Sequence, residues 1–314
     1  MLNRRPAEIS RRTFLLATAV LSVGCGRSDP RGRVRLASGD PGGLYFAFAT
    51  ILSEQLHRRY PDIVVDVLPT EGSVENLARL RSGDADFGLA LADVTERDRD
   101  TVDDGSAPWA AARVYENYLQ VIVRDSAAVQ HLSDLRGRRV SIGPSGSGGA
   151  TTSEVLFTAA AIRDQVDIVG YRLGDGLSAL ADGRLDAIVW SGGVPTPAIT
   201  DVDAVTPLRM IDVRSLAVPM SRLAGYPYVV HRVPTGQYVP PEIRSLGVPN
   251  LLLCRRETSA ELVGAVVDVL ATEAPNLVPP YVRGLQYLDA PSMIQTGQIP
   301  LHQGAVDAYR RLHG

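Results

Sequence analysis

Two stretches of this chain, about 100 residues apart, follow one plan, and that repetition constrains the fold more than any other feature. Val34-Arg35-Leu36-Ala37-Ser38 reads as a short strand running into the turn Gly39-Asp40-Pro41-Gly42-Gly43. Val140-Ser141-Ile142 runs likewise into Gly143-Pro144-Ser145-Gly146-Ser147-Gly148-Gly149. Each turn opens a helix. Leu44, Phe48, Ile51, Leu52 and Leu56 share one face at helical spacing, as do Val155, Leu156, Ala159 and Ile162. Further on, Leu80-Arg81-Ser82-Gly83-Asp84-Ala85-Asp86-Phe87 parallels Leu180-Ala181-Asp182-Gly183-Arg184-Leu185-Asp186-Ala187. Each ends a helix on a Gly suited to the left-handed position and then enters a buried strand, Phe87 to Leu91 or Ala187 to Trp190.

Two separate motifs at nearly one offset predict two α/β units of alternating strands and helices. At 314 residues the chain is also longer than a single core ordinarily serves. The apolar stretch Tyr118 to Val123 links the halves, and Val248 to Leu253 carries the chain back. The expected organisation is therefore a first lobe from residues 33–123, a second from 124–247, and a return from 248–314 that completes the first lobe. Two open sheets would be joined by a hinge crossed twice, with a cleft between the lobes. Clefts between domains and the carboxyl ends of parallel strands are favoured ligand sites.

Both glycine-rich turns place unpartnered backbone N–H groups and the positive end of a helix dipole where a ligand can approach. Gly43 in the first turn, and Ser145, Ser147 and Gly148 in the second, are the candidate donors. A third helix start, Thr70-Glu71-Gly72-Ser73-Val74-Glu75-Asn76, has Ser73 as its expected N-cap, serving either as a cap or as a ligand contact. Together these donors could hold a carboxylate without any Arg. Tyr45 reads either as core or as cleft wall, and Trp190, beside Ser191-Gly192-Gly193, as cleft wall.

Other chemistries fit poorly. The second turn lacks the Lys of a Walker loop and the spacing of a dinucleotide turn, and its serines miss the G-x-S-x-G elbow. The five His residues are scattered, with no metal spacing and no implied cofactor. His57, beside Arg58 and Arg59, reads as a solvated surface residue; His302 has no catalytic partner nearby in sequence. Cys254, in an apolar run, reads as a small core residue. All 32 basic residues are Arg. The formal charge is −3, and without the Arg-rich first 24 residues it falls to about −6, which disfavours a nucleic-acid partner.

Residues 1–24 read as an export signal. The pair Arg11-Arg12 before Thr13-Phe14-Leu15-Leu16 resembles a twin-arginine signal, and its apolar run of about ten residues is too short to span a bilayer, which takes ~20. Leu21-Ser22-Val23-Gly24-Cys25 resembles a lipobox with Leu one position too far from the Cys. Cys25 is then either an acylated first residue or incidental to a cleaved signal. Residues 25–32 read as a tether.

The motifs above, taken with Leu135-Arg136-Gly137-Arg138-Arg139-Val140, Trp190-Ser191-Gly192-Gly193-Val194-Pro195-Thr196 and Pro300-Leu301-His302-Gln303-Gly304-Ala305, resemble in order those of the TAXI group of TRAP-transporter solute receptors. The resemblance implies a two-lobed, type II-like periplasmic-binding-protein fold and a small carboxylate ligand, glutamate-like or an oxo acid. It also implies a sodium-coupled membrane permease as partner, and ligand contacts at Tyr45, Ser73, Ser147 and Trp190 to Gly193, including Gly192. One departure stands out: Gly149 occupies a position where the family commonly has Thr. Either Thr151 or Thr152 supplies that hydroxyl, or the ligand differs. The competing functions are a lipoprotein sensor docking on a signalling receptor, and an enzyme on the same scaffold, for which Glu154 and Asp175 are the candidate acid–base groups.

Overall fold

The computed structural model describes residues 30–102, 105–283 and 287–312; the expected signal segment, Cys25 and most of the tether lie outside the described residues. In the first half, β1 (Gly32–Ala37) pairs in parallel with both β2 (Ile63–Leu68) and β3 (Phe87–Leu91). In the second, β5 (Arg139–Ser141) pairs in parallel with both β6 (Asp167–Val169) and β7 (Ala187–Gly192). The repeated sequence plan is thus a repeated topology. In each half the glycine-rich turn follows the central strand.

Helix α1 (Leu44–Arg59) follows the first turn and buries Leu44, Phe48, Leu52 and Leu56; Ile51 lies at the margin, half-buried. Helix α2 (Ser73–Ser82) leads to β3 and α3 (Ala92–Thr101) follows it; in the second half α4 (Gly148–Ala159) takes the place of α1, and α5 (Leu173–Ala181) that of α2. Gly83 and Gly183 end their helices at φ 80° and 77°, where a side chain is strained. The aspartates three residues on, Asp86 and Asp186, accept hydrogen bonds from the backbone N–H of Arg35 at 2.9 Å and Arg139 at 3.0 Å. Each thereby ties the incoming strand to the central one. Replacing either Gly83 or Gly183 by Ala is expected to cost about 1 kcal/mol, with Asn recovering part of it, as read from urea-unfolding midpoints. Unchanged midpoints at both positions would contradict this reading of the repeat.

The halves are not separate sheets. Hydrogen bonding runs unbroken in the order β2-β1-β3-β10-β4-β7-β5-β6, through two long strands, β4 (Trp109–Arg124) and β10 (Arg244–Cys254). β4 pairs with β10 along its first part, and from Tyr118 onward with β7 and with β8 (Leu208–Ile211). β10 pairs with β9 (Val229–Arg232) at its start and with β3 at its end. Each crossing segment is therefore longer than the apolar run that marked it in the sequence, because its polar residues are buried too: Glu116, Asn117, Gln120, Ser245 and Asn250.

Helices α6 (Pro197–Asp203) and α7 (Ala217–Ala224) complete the second half. The carboxyl-terminal helices α8 (Ala260–Thr272) and α11 (Gln303–Leu312), with the short α9 (Ala274–Leu277) and α10 (Ala290–Met293) between them, pack on the first half. There Val263, Val266, Leu270, Ala305 and Tyr309 join Phe48, Leu52 and Tyr115 in one core. Cys254 is fully buried among them, and burial raises its thiol pKa well above the ordinary value. His57 is exposed. His302 is buried, its Nδ1 accepting from the N–H of Gly304 at 3.1 Å at the start of α11.

Candidate functional site

The turns after β1 and β5 meet across a cleft whose floor is made by β4 and β7. Gly39, Asp40, Gly43, Tyr45, Glu71, Gly72, Ser73 and Leu91 line one side; Ile142, Gly143, Ser147, Gly148 and Gly149 line the other; Asn117 and Val189 to Gly192 form the floor. The gap holds about 530 Å³ including its open mouth.

The start of α4 is built to receive an acceptor. Ser147 is its N-cap, with Oγ accepting from the N–H of Ala150 at 3.1 Å, while the N–H groups of Gly148 and Gly149 have no partner among the described residues. The start of α2 is not available in this way. Its N-cap is Gly72, at φ 126°, rather than Ser73, and the N–H groups of Val74 and Glu75 both donate across the gap to the carbonyl of Gly146 at 3.1 Å. The expected convergence of three open helix starts is reduced accordingly.

Ser73 and Tyr45 line the cleft, but their hydroxyls are committed. Tyr45 donates to Asn250 Oδ1 at 2.6 Å, so in its 3.3 Å contact with Ser73 the serine is the donor. Ser73 Oγ in turn accepts from the N–H of Leu91 at 3.0 Å, and Asn250 Nδ2 donates to the carbonyl of Tyr115 at 3.2 Å. This relay ties β3, α1 and both crossing strands together. Tyr45 is both core and wall, and burial raises its pKa well above the ordinary value.

The floor carries the opposite condition. Asn117 Oδ1, Trp190 Nε1 and Ser191 Oγ are buried without hydrogen-bond partners among the described residues. The Trp190 indole lies against Gly43 and Gly192: a Cβ on Gly43 would stand 3.4 Å from the ring, and one on Gly192 would collide with the indole nitrogen.

Of the residues expected from sequence, Gly43, Tyr45, Ser73, Ser147, Gly148, Trp190 and Gly192 come together here. Ser145, Thr151 and Gly193 do not line the cleft. Ser145 is exposed at the turn's outer bend; Gly193 is buried, its carbonyl accepting from Gln120 and Thr196. Thr152 does not replace the missing threonine, since its hydroxyl donates to Asp93 Oδ2 at 2.8 Å. Glu154 is ion-paired with Arg163 and Asp175 is exposed, and neither lines the cleft. Ser191 lines the cleft within the expected Trp190 to Gly193 segment, whereas Asn117, Asn250 and Asp93 escaped notice in the sequence. Polar residues interrupting apolar strands were the available signal for Asn117 and Asn250.

No cation lines the cleft among the described residues; its charged side chains are Asp40 and Glu71. The exposed Arg172 approaches both from the opposite side of the mouth, at 3.8 and 3.7 Å. Glu71 also accepts from the N–H of Gly146 at 3.1 Å. Deeper in, Asp93 at the start of α3 accepts from Thr152 and from Tyr228, each at 2.8 Å. Burial raises the Asp93 pKa above its ordinary value, against the hydrogen bonds from Thr152, Tyr228 and the Val94 N–H, which act to lower it.

Among the described residues no group of three or more His, Cys, Asp or Glu could hold a metal, and no helix is long and apolar enough to cross a membrane. A family model described as the NMT1-like family matches residues 36–311. Among solved structures, Tv2483 bound to L-arginine is similar at 17% identity, over 82% of this chain and 93% of its own, with a TM-score of 0.52. A protein from Bordetella bronchiseptica RB50 is similar at 14% identity, over 90% and 99%, with a TM-score of 0.54. A structure described as a periplasmic transporter is similar at 13% identity, over 91% and 94%, also at 0.54. The fold is that of the periplasmic binding proteins.

Proposed function

Since this chain belongs to the NMT1-like family, we propose that it is an extracytoplasmic solute receptor that closes on a small carboxylate and catalyses nothing. The observation that carries this reading is the cleft itself. Two free amides at the start of α4 and three unpaired polar atoms on the floor belong to residues lining one cleft, with no nucleophile–base pair beside them among the described residues. Free N–H groups at a helix start hold a carboxylate through hydrogen bonds and the helix dipole, at ~0.3–1 kcal/mol for an exposed dipole contact and up to ~2 when partly buried.

In this reading the halves are two lobes, of residues 33–123 with 248–314 and of 124–247, that rock about β4 and β10. A ligand touching both sides favours the closed arrangement. The finer assignment follows the TAXI resemblance: delivery of a glutamate-like or oxo acid to a TRAP-type, sodium-coupled permease, with Cys25 as lipid anchor after export.

A thermal-unfolding screen of amino, oxo and dicarboxylic acids tests the reading. A true ligand at 100 times its Kd is expected to add about 2.7 kcal/mol and raise Tm by several degrees. If no small acid stabilises the protein, or if the bound acid is recovered chemically altered, the receptor reading fails.

A further inference from the structure

We propose that Asn117, Trp190 and Ser191 form a specificity reader on the cleft floor, with Asn117 the determining residue, and that it selects a zwitterionic amino acid over the matching oxo or des-amino acid. The inference rests on the receptor reading and narrows its ligand class.

The orientation of the Asn117 amide is set by its neighbour. Nδ2 lies 3.3 Å from the backbone carbonyl of Ser191, and donation to that carbonyl requires nitrogen there, because a flipped amide would set two oxygens against each other. The atom left over is therefore Oδ1, which only accepts, and it is buried without a donor. Trp190 Nε1 only donates, and it is buried without an acceptor. Ser191 Oγ serves either way and is also unpaired. A buried polar atom left unmatched costs free energy, so the ligand that fits must bring one donor and one acceptor to this floor.

Charge points the same way. The free amides of Gly148 and Gly149 suit one carboxylate. The charged side chains of the lining are Asp40 and Glu71, which share Arg172 at the mouth. A ligand without an ammonium brings these two acids no further cation and Asn117 no donor, whereas an ammonium supplies both. A site built around a ligand N–H rejects the analogue that lacks it, since its own acceptor is then stranded.

The test is isothermal calorimetry on the purified chain with matched trios: L-glutamate, 2-oxoglutarate and glutarate; L-alanine, pyruvate and propionate. In at least one trio the amino acid is expected to bind tenfold or more tightly than both partners, and Asn117→Ala to bring that ratio to within about threefold. Trp190→Phe removes the indole N–H but keeps the ring, and is expected to weaken all members of the trio without changing the ratio. That variant keeps the test decisive should Asn117→Ala fail to fold. Oxo or des-amino acids binding as well as the amino acids, or a ratio that persists in Asn117→Ala, would overturn the inference and leave the receptor standing. Absence of binding by every acid would instead remove the receptor reading beneath it.

Discussion

Gly148→Ala is expected to abolish ligand-induced stabilisation and lower affinity at least 100-fold, about 2.7 kcal/mol, while leaving a folded, cooperatively unfolding protein. The reason lies in what a single methyl would meet. A Cβ at Gly148 would fall 2.8 Å from Leu91 Cδ1 and 2.9 Å from Ser73 Cβ, and would overlap Ser73 Oγ. Ser73 cannot swing aside cheaply, because its hydroxyl is held by the N–H of Leu91 and by Tyr45. Those atoms belong to α2 and β3 and the methyl to α4, so the strain is relieved by parting the halves rather than by distorting either one. Alanine is also the better helix former, so α4 itself is not weakened. Overpacking of this kind costs ~1–3 kcal/mol when it must be absorbed. Gly149→Ala is the control: its Cβ would stand 3.6 Å from Ser191 Cβ, an ordinary contact, and it should retain most of the affinity. Calorimetry with any ligand found in the screen measures both, and small-angle scattering reports whether ligand still compacts the protein. Near-wild-type binding by Gly148→Ala would mean that closure does not bring these surfaces together.

What the sequence made legible was local and periodic. The repeated strand, turn and helix could be read because glycine's left-handed freedom and the 3.6-residue spacing are properties of a few adjacent residues. Strand Phe87–Leu91 was readable for the same reason. The failures share one cause. Ser73 has the composition of an N-cap, but its hydroxyl is drawn to Leu91, 18 residues away, and Gly72 takes the capping position instead. Tyr45 finds Asn250 across 205 residues, and Asp93 finds Tyr228 across 135. Local rules cannot see partners that only the folded sheet brings together. Glu116, Asn117 and Gln120, polar residues set among the apolar ones of β4, were the legible hint that this strand needed polar company. That the two expected sheets join edge to edge was not legible for a related reason: β4 and β10 each serve both halves, and a strand that changes partners midway carries no mark of it in its own residues.

The wild type's stability relative to Asp93→Asn is expected to rise steadily as pH falls, with a limiting slope near 1.4 kcal/mol per pH unit, the most that one proton can supply. Asp93 is 6% exposed. Its Oδ2 accepts from Thr152 and Tyr228 and its Oδ1 from the N–H of Val94, and none of these neutralises a charge. Burial accordingly raises its pKa, with Arg97 acting to lower it as a more distant cation. The sign follows directly. A carboxyl that binds its proton more tightly when folded contributes stability fully present below its ordinary value of 3.8, and loses that contribution as pH rises through the elevated folded-state value. Asparagine presents the same oxygen to Thr152 and Tyr228 but sets its amide against the Val94 N–H, a cost that does not change with pH and so leaves the slope intact. Taking the difference between the two proteins also cancels the opposing trend from Asp86, where hydrogen bonds and charge from Arg35 outweigh burial and depress the pKa. Thr152 and Tyr228 come from the second half and Asp93 from the first, so in the proposed clamp the same proton favours closure, and ligand affinity should follow the same pH difference. Urea unfolding of both proteins from pH 4.5 to 8 measures the effect. Parallel stability curves would show that Asp93 is ionised in the folded and unfolded chain alike over this range, and that this contact between the halves does not depend on pH.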